Sequence, residues 1–518
     1  MFEIAFFVGI YSYIIFLLGI AGLLYINIIY LVTFLLLLYS IYFFYKKKGL
    51  ELFKYNYYSI GKSSLFILLL LFVQALVNLI GVFGPEIGFD ALWYHLTLPK
   101  LYLQTHTIYH IPGGLLYYSD MPKLVEMLYL GALALWNVTL AKMIHFLFGL
   151  LTLFIIFKLS RRFVSSWLSL VAALIFYSNL VVGWESVAAY VDLARAFFEI
   201  LSFYGLIVWI ENKNRKYLIF SAIALGLAIT TKVAGVLDLL IFIPLFIYLK
   251  REMLENILTF IFYALIVPLP WFIFSFLNTK NPIYPYFSIP VDSGHFISFS
   301  NSIFFLNFSD PISPIYLILL PLVIFSYKRF DKTERIISFF VFISFFVWLV
   351  FEGNRGTRFL LPYLPVFSVF SIILIGKFKN NFYMKFSIVL ILVLSLTSIG
   401  YRLLANYKFI PYIFGKESQS QFLSRHLNFM YGDFYDIDNY FKSNIKSTDK
   451  VLLFGFHNLY YVDFPFTDSS WVKKGDKFNY IAVQNSNLPE RFSGWKIVYY
   501  NSKTKVSLYS KGGKMWEY

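Results

Sequence analysis

Residues 65–83 read LFILLLLFVQALVNLIGVF, nineteen positions without one charge. A helix of that length rises far enough to cross the hydrocarbon core of a bilayer. Runs like it recur along the chain. They predict thirteen spans, at 4–23, 26–45, 64–83, 138–158, 163–183, 193–211, 216–233, 236–249, 257–277, 313–327, 335–351, 358–376 and 384–400. The fold class expected is therefore an all-α polytopic membrane protein. A soluble chain of 518 residues would carry far more than 14% charged residues. The absence of cysteine excludes disulfides, thiolate catalysis and Cys-ligated metal sites. The opening MFEIAFF has no basic flank and no cleavage site after it, so the first span is expected to stay as a signal anchor.

Lys and Arg sort the loops. Loops 46–63, 158–162, 211–216, 250–252, 327–335 and 377–385 hold twenty of them, and the alternate loops with the adjoining span ends hold eight. The positive-inside rule puts the first set, and the N-terminus, in the cytoplasm. The alternation holds only if 122–137, PKLVEMLYLGALALWN, does not cross, so this short segment is read as an interfacial or re-entrant helix. The organisation expected is a membrane domain over 1–400, with a long outer loop at 84–137, and an exterior domain over 401–518. This tail has no run long enough to span. Its β-like runs KVLLFGF, NYIAVQ, WKIVYY and KVSLYS follow a helix-like FYDIDNYFKSNIKS, which predicts a small α/β domain. The net charge of +16 does not point to nucleic acid, because it sits in cytoplasmic loops and in a tail without any such motif.

The outward loops carry the chemistry. The first offers Glu86, Asp90, Tyr94, His95, Lys100, His106, His110, Asp120 and Glu126. Later ones offer Glu185, Asp192 and Arg195, then Lys232, then Tyr284, Tyr286, Asp292 and His295, then Glu352, Arg355 and Arg358. Carboxylates, tyrosines and cations at one membrane face suit transfer of a sugar from a lipid-linked phosphate. Lys or Arg stabilises the charge that grows on the leaving phosphate. A carboxylate takes the proton of the acceptor hydroxyl. Plainer roles stand beside these: Asp90 as a helix N-cap, Lys232 and Arg358 as interface charges, the tyrosines as interfacial anchors. His106 and His110 are four apart, but the HTIYH stretch leading into IPGG reads as loop, and no HExxH occurs, so no metal ligands are assigned.

FDALWYHLTLPKLY, YVDLARAFFE, TTKVAG, TKNPIYPYF and TRFLLPYLP, in this order, resemble the GT-C glycosyltransferases, in particular the bacterial and archaeal relatives of protein O-mannosyltransferases and aminoarabinose transferases. The resemblance implies a GT-C-like membrane domain, often with a C-terminal exterior domain, in the plasma or inner membrane. It implies inverting transfer from a polyprenyl-phosphate sugar to a protein, lipid or glycan acceptor. Carried over, Asp90 is the general base, and Lys232 and Arg358 bind the donor phosphate. Glu86, Tyr94, His95, Lys100, Asp192, Tyr284 and Tyr286 are candidate substrate-binding residues. Family members often carry an adjacent acidic pair where this chain has Phe89–Asp90. That leaves open whether Glu86, four residues earlier, takes the partner's part and whether a divalent metal is held.

Two other classes remain to be weighed. A transporter or flippase of a lipid-linked glycan would place ionisable residues at mid-membrane, where only Lys142, Glu199 and Asp238 intrude. An envelope-assembly protein would bind ligands with its tail and catalyse nothing.

Overall fold

The computed structural model describes residues 1–46, 61–249, 253–288, 312–352, 356–378, 380–512 and 515–518; the expected loop residues Asp292, His295 and Arg355 lie outside these. The apolar runs form helices α1 (Phe2–Ile20), α2 (Ile26–Lys46), α3 (Lys62–Phe83), α4 (Thr97–Thr105), α5 (Leu124–Leu135), α6 (Val138–Ser160), α7 (Ser166–Tyr177) and α8 (Leu180–Glu185). They continue as α9 (Asp192–Asn212), α10 (Arg215–Thr231), α11 (Leu239–Leu249), α12 (Met253–Ile266), α13 (Leu269–Thr279), α14 (Lys332–Val347), α15 (Leu364–Gly376) and α16 (Asn381–Tyr407). Side chains mark several starts. Asn137, Asn214 and Asn380 accept the N–H two residues on, at 2.8, 3.0 and 2.8 Å. Asp331 and Glu334 form a reciprocal capping box at α14. Each satisfies a donor that a helix start leaves orphaned.

Among the described residues eight helices are long and apolar enough to cross a membrane, or nine if the bent pair α12–α13 is one span. The eight are α1, α2, α3, α6, α9, α16, and α14 and α15 with their adjoining turns (Lys332–Phe351 and Thr357–Gly376). Thirteen continuous spans are not found, and local chemistry explains the difference. The expected span 163–183 breaks where the Asn179 amide donates to the carbonyls of Ile175 (2.7 Å) and Phe176 (3.2 Å), competing with the helix. Pro268 stands between α12 and α13 and Pro270 in the first turn of α13, with a 62° bend between the two helices. The stretch expected as 236–249 enters through a tighter turn at Val233–Asp238 and contains Pro244. Residues 315–329 form only short turns, two of them opened by Pro314 and Pro321, and α10 has 17 residues. Segment 122–137 yields α5, whose 12 residues rise about 18 Å, short of the roughly 30 Å of hydrocarbon.

Helix α9 is the centre of the bundle: nearly all its side chains are buried, whereas α2 is almost wholly exposed. Charged residues Asp192, Arg195 and Glu199 of α9 are buried with partners, and the rest of its surface is largely apolar, as suits an inner helix. It packs against α6 and α10, and α10 in turn meets α12. That last approach needs Gly226, where a Cβ would lie 2.7 Å from the Ala264 carbonyl oxygen.

Beyond α16 the chain forms a small domain. Its main sheet has the order β2-β1-β4-β6-β5, from β1 (Val451–Phe454), β2 (Phe466–Asp468), β4 (Tyr480–Gln484), β5 (Lys496–Asn501) and β6 (Val506–Ser510). β1 runs parallel to β2 and β4, and β6 runs antiparallel to β4 and β5. β3 (Lys477–Phe478) pairs with β7 (Trp516–Glu517). The four β-like runs are β1, β4, β5 and β6; the helix-like run before them is helical only at α18 (Tyr440–Asn444), after α17 (Gln419–His426). Alternation sends Leu452, Ile481 and Val483 into one apolar cluster. Val451, Leu453 and Ala482 enter another, which also holds Leu98, Tyr102, Ile108 and Leu116 of loop 84–137. The domain and the first loop therefore share a core.

Candidate active site

Loop 84–137 re-enters the bundle at a tight turn. Glu86 is buried and accepts the N–H groups of Ile87 (2.9 Å) and Gly88 (2.7 Å), then that of Ala189 (2.7 Å) across the chain. This stitches the first loop to the segment before α9. Asp90 follows, with its N–H on the Tyr190 hydroxyl (3.3 Å). Its carboxylate makes no cap bond to the turn Ala91–His95. Instead it accepts Arg358 Nη2 at 2.5 Å.

Arg358 is the hub. Its Nε lies 3.3 Å from Glu185 and 3.5 Å from Asp192, and its plane sits 4.7 Å from the centre of the Tyr190 ring. Asp192, at the start of α9, accepts Lys232 Nζ at 2.7 Å. Lys232 follows the last residue of α10 and lies 4.6 Å from the centre of the Phe359 ring. Burial, reinforced by Asp192, holds the Glu185 carboxyl above the carboxylate range, against the pull of Arg358 and Lys232. Asp90 and Asp192 each pair with a cation, Arg358 and Lys232.

These groups edge a cleft of about 510 Å³ whose lining includes Asp90, Tyr94, His95, Lys123, Lys232, Tyr286 and Arg358. Asp90 and Arg358 are 18% and 12% exposed, so a ligand in the cleft reaches both. His95 is buried, with Nδ1 on Glu126 at 2.7 Å and Nε2 without a hydrogen-bond partner among the described residues. Tyr94 stacks on Tyr118 with centroids 3.6 Å apart. Burial raises its hydroxyl well above the tyrosine range, with Asp90 adding to the shift. Lys123 donates to the carbonyls of Ser119 (2.8 Å) and Met121 (2.5 Å). Burial lowers it to about 7, and no carboxylate of a described residue lies within 4.0 Å of it.

The structure thus brings Asp90, Tyr94, His95, Asp192, Lys232, Tyr286 and Arg358 together. Tyr284 stands just behind, edge-on to Tyr117 at 6.4 Å. Glu86 and Lys100 are elsewhere. Glu86 is spent on backbone donors, and Lys100 donates to Tyr460 O (2.6 Å), Val462 O (2.8 Å) and Asp463 (2.6 Å) of the C-terminal domain. Sequence reasoning named Glu126 and Glu185 among the outward-loop acids without a role, and passed over Lys123, Tyr190 and Phe359. Glu126 and Lys123 carried a signal, as charges inside a short apolar segment; Tyr190 carried none. His106 and His110 do not converge: one stacks on Tyr25 at 4.2 Å, the other pairs with Asp120 at 2.8 Å. Among the described residues no three His, Asp or Glu side chains are grouped so as to hold a metal ion. The mid-span charges close on one another. Arg195 meets Glu199 (2.5 Å) and Asp238 (3.3 Å), Tyr363 donates to Asp238 (2.6 Å), and Lys142 caps the carbonyls of Gly81 and Gly84 at 2.8 Å each.

This fold, a polytopic helical bundle followed by a small strand-bearing domain, is shared with solved structures. Two solved structures of ArnT from Cupriavidus metallidurans, one in the apo state and one bound to undecaprenyl phosphate, match it at TM-score 0.58. They cover 87% and 88% of this chain and 98% of their own, at 12% identity, a likeness of fold. An oligosaccharyltransferase from Archaeoglobus fulgidus matches over 82% of this chain and 69% of its own, at TM-score 0.47 and 12% identity. No family model matches the chain, and no curated protein matches it in sequence.

Proposed function

We propose that this protein is a membrane glycosyltransferase that moves a sugar from a polyprenyl-phosphate donor to an acceptor hydroxyl at the outer membrane face, with inversion. The observation that carries the reading is the Asp90–Arg358–Asp192–Lys232 constellation at the edge of one cleft. The ArnT structure with undecaprenyl phosphate supports the lipid class of the donor.

The chemistry follows from the pairing. A donor phosphate competes with Asp90 for Arg358, because both are anions seeking the same guanidinium. Its arrival releases the Asp90 carboxylate as the acceptor enters. Asp90 takes the hydroxyl proton, and the acceptor oxygen attacks the anomeric carbon. The carbon–oxygen bond to phosphate breaks, and the phosphate keeps the electron pair. Arg358, Lys232 and Lys123 stabilise the charge that grows on it. The mid-span carboxylates have no part in this, because Arg195 and Tyr363 already engage them. That buried network argues against the transporter reading, which needs exposed ionisable groups along a path.

The test uses purified protein in nanodiscs with labelled polyprenyl-phosphate sugars and an envelope acceptor fraction. Transfer by wild type, lost in a folded Asp90→Asn that still binds donor, supports the reading. Transfer that survives in Asp90→Asn moves the base to another residue. Transmembrane movement of donor without a new glycosidic bond overturns the reading.

A further inference from the structure

A second and larger cleft, about 790 Å³, opens where α4 and the loop after it meet the C-terminal domain. We infer that it is a neutral-saccharide subsite, which holds the glycan part of the acceptor while the reacting hydroxyl lies in the first cleft. The inference rests on the glycosyltransferase reading for its role, but not for its ligand.

Position comes first. The turn that presents Asp90, Tyr94 and His95 to the reacting cleft runs directly into α4, whose far end lines the second cleft through Gln104. Ten residues at 1.5 Å each put Gln104 roughly 15 Å from Tyr94. One extended acceptor can therefore touch both clefts. Lys100 lies between and ties the two walls together through Tyr460, Val462 and Asp463.

The lining names the ligand class. Tyr109 comes from the first loop and Phe466 and Trp471 from one stretch of the C-terminal domain, and each is partly exposed where it lines the cleft. Aromatic faces left open in a concave site are covered by a ligand that offers C–H surface to them. Gln104 and Asn439 supply the polar complement. Both are exposed where they line the cleft, and a side-chain amide can donate to and accept from a sugar hydroxyl. The charged residues of the lining are two acids, Asp436 and Asp463, and two bases, Lys442 and Lys450. That balance disfavours a polyanion and suits an uncharged, hydroxyl-rich chain. Strand addition of a peptide is disfavoured because the edge strand there, β2, has only three residues.

The test is direct binding to the full chain in nanodiscs. The probes are neutral tetrasaccharides of glucose, mannose and N-acetylglucosamine, with a pool of unstructured peptides for comparison. Saturation-transfer NMR on the sugar protons and tryptophan fluorescence report binding. At least one tetrasaccharide is expected to saturate. Its affinity is expected to fall tenfold or more in Trp471→Ala and in Gln104→Ala, and to recover in part in Trp471→Phe. Failure of every tetrasaccharide to bind, binding untouched by both cleft variants in folded protein, or peptides displacing the sugar, would each overturn the subsite. Sugar binding without any transfer activity would instead sink the glycosyltransferase reading and leave the subsite standing.

Discussion

Asp90 and Arg358 hold each other at 2.5 Å, and this bond governs what each can do. Arg358 must be drawn off by a competing anion before the carboxylate can turn to an acceptor hydroxyl. Asp90→Asn is expected to lower sugar transfer by about 10²–10⁴-fold, the usual worth of a general base, while thermal unfolding stays close to wild type. His95 offers a contrast within the same cleft, because Glu126 fixes its Nδ1 and leaves Nε2 unpaired. Substitution separates the two. With Asp90 as base, His95→Gln is expected to keep most of the transfer that Asp90→Asn loses. The site's charged residues were legible because each stands next to an apolar run, where charge is costly without a purpose. Glu86 and Lys100 looked the same in sequence and serve otherwise. The distant partners, the Ala189 N–H for Glu86 and residues 460–463 for Lys100, are about 100 and 360 residues away, and nothing local announces them.

Elements were read well where one periodicity ran unbroken, and poorly where a side chain or proline interrupted it. Eight apolar runs became full helices; Asn179, Pro244, Pro268 and Pro321 divided or shortened others. The short strands β2, β3 and β7 were missed because two or three residues carry no pattern. Two predictions belong to this scale. Lys100→Met removes all three bonds from α4 to residues 460–463, so amide exchange across 456–464 is expected to rise while that of β4 holds. The second concerns Asp468 in β2, which burial raises from 3.8 to about 6. Between those values the folded domain keeps a proton that the unfolded chain has lost. Stability from this group therefore falls as pH rises from about 4 to 6, by ~3 kcal/mol, and is level above that. Protection of β1 and β4 amides at pH 4.5 and 7, corrected for intrinsic exchange, should show the loss. Asp468→Asn, which can still accept the Ser470 N–H, should remove it.

For the whole molecule, the side of the membrane that holds the cleft does not depend on counting spans. Helices α3 and α16 end together: Asn406 near the end of α16 donates to the Val77 carbonyl in α3 at 2.7 Å. Just beyond, the Phe409 ring sits so close to Gly84 that a Cβ there would lie 2.0 Å from it. Loop 84–137 leaves from one of these ends and the C-terminal domain from the other, so both occupy one face. The basic residues Lys62 and Lys385 stand at the opposite ends of the same two helices. With no native cysteine, the chain suits single-site labelling. Lys474→Cys, exposed in the C-terminal domain, is expected to react with a membrane-impermeant maleimide in intact cells. Lys385→Cys, exposed at the start of α16, is expected to react only after the membrane is opened. The reverse pattern would put the cleft on the cytoplasmic side and remove the exterior donor from the proposed reaction. Labelling of both sites in intact cells would mean that α16 does not cross, against its 27 apolar-rich residues.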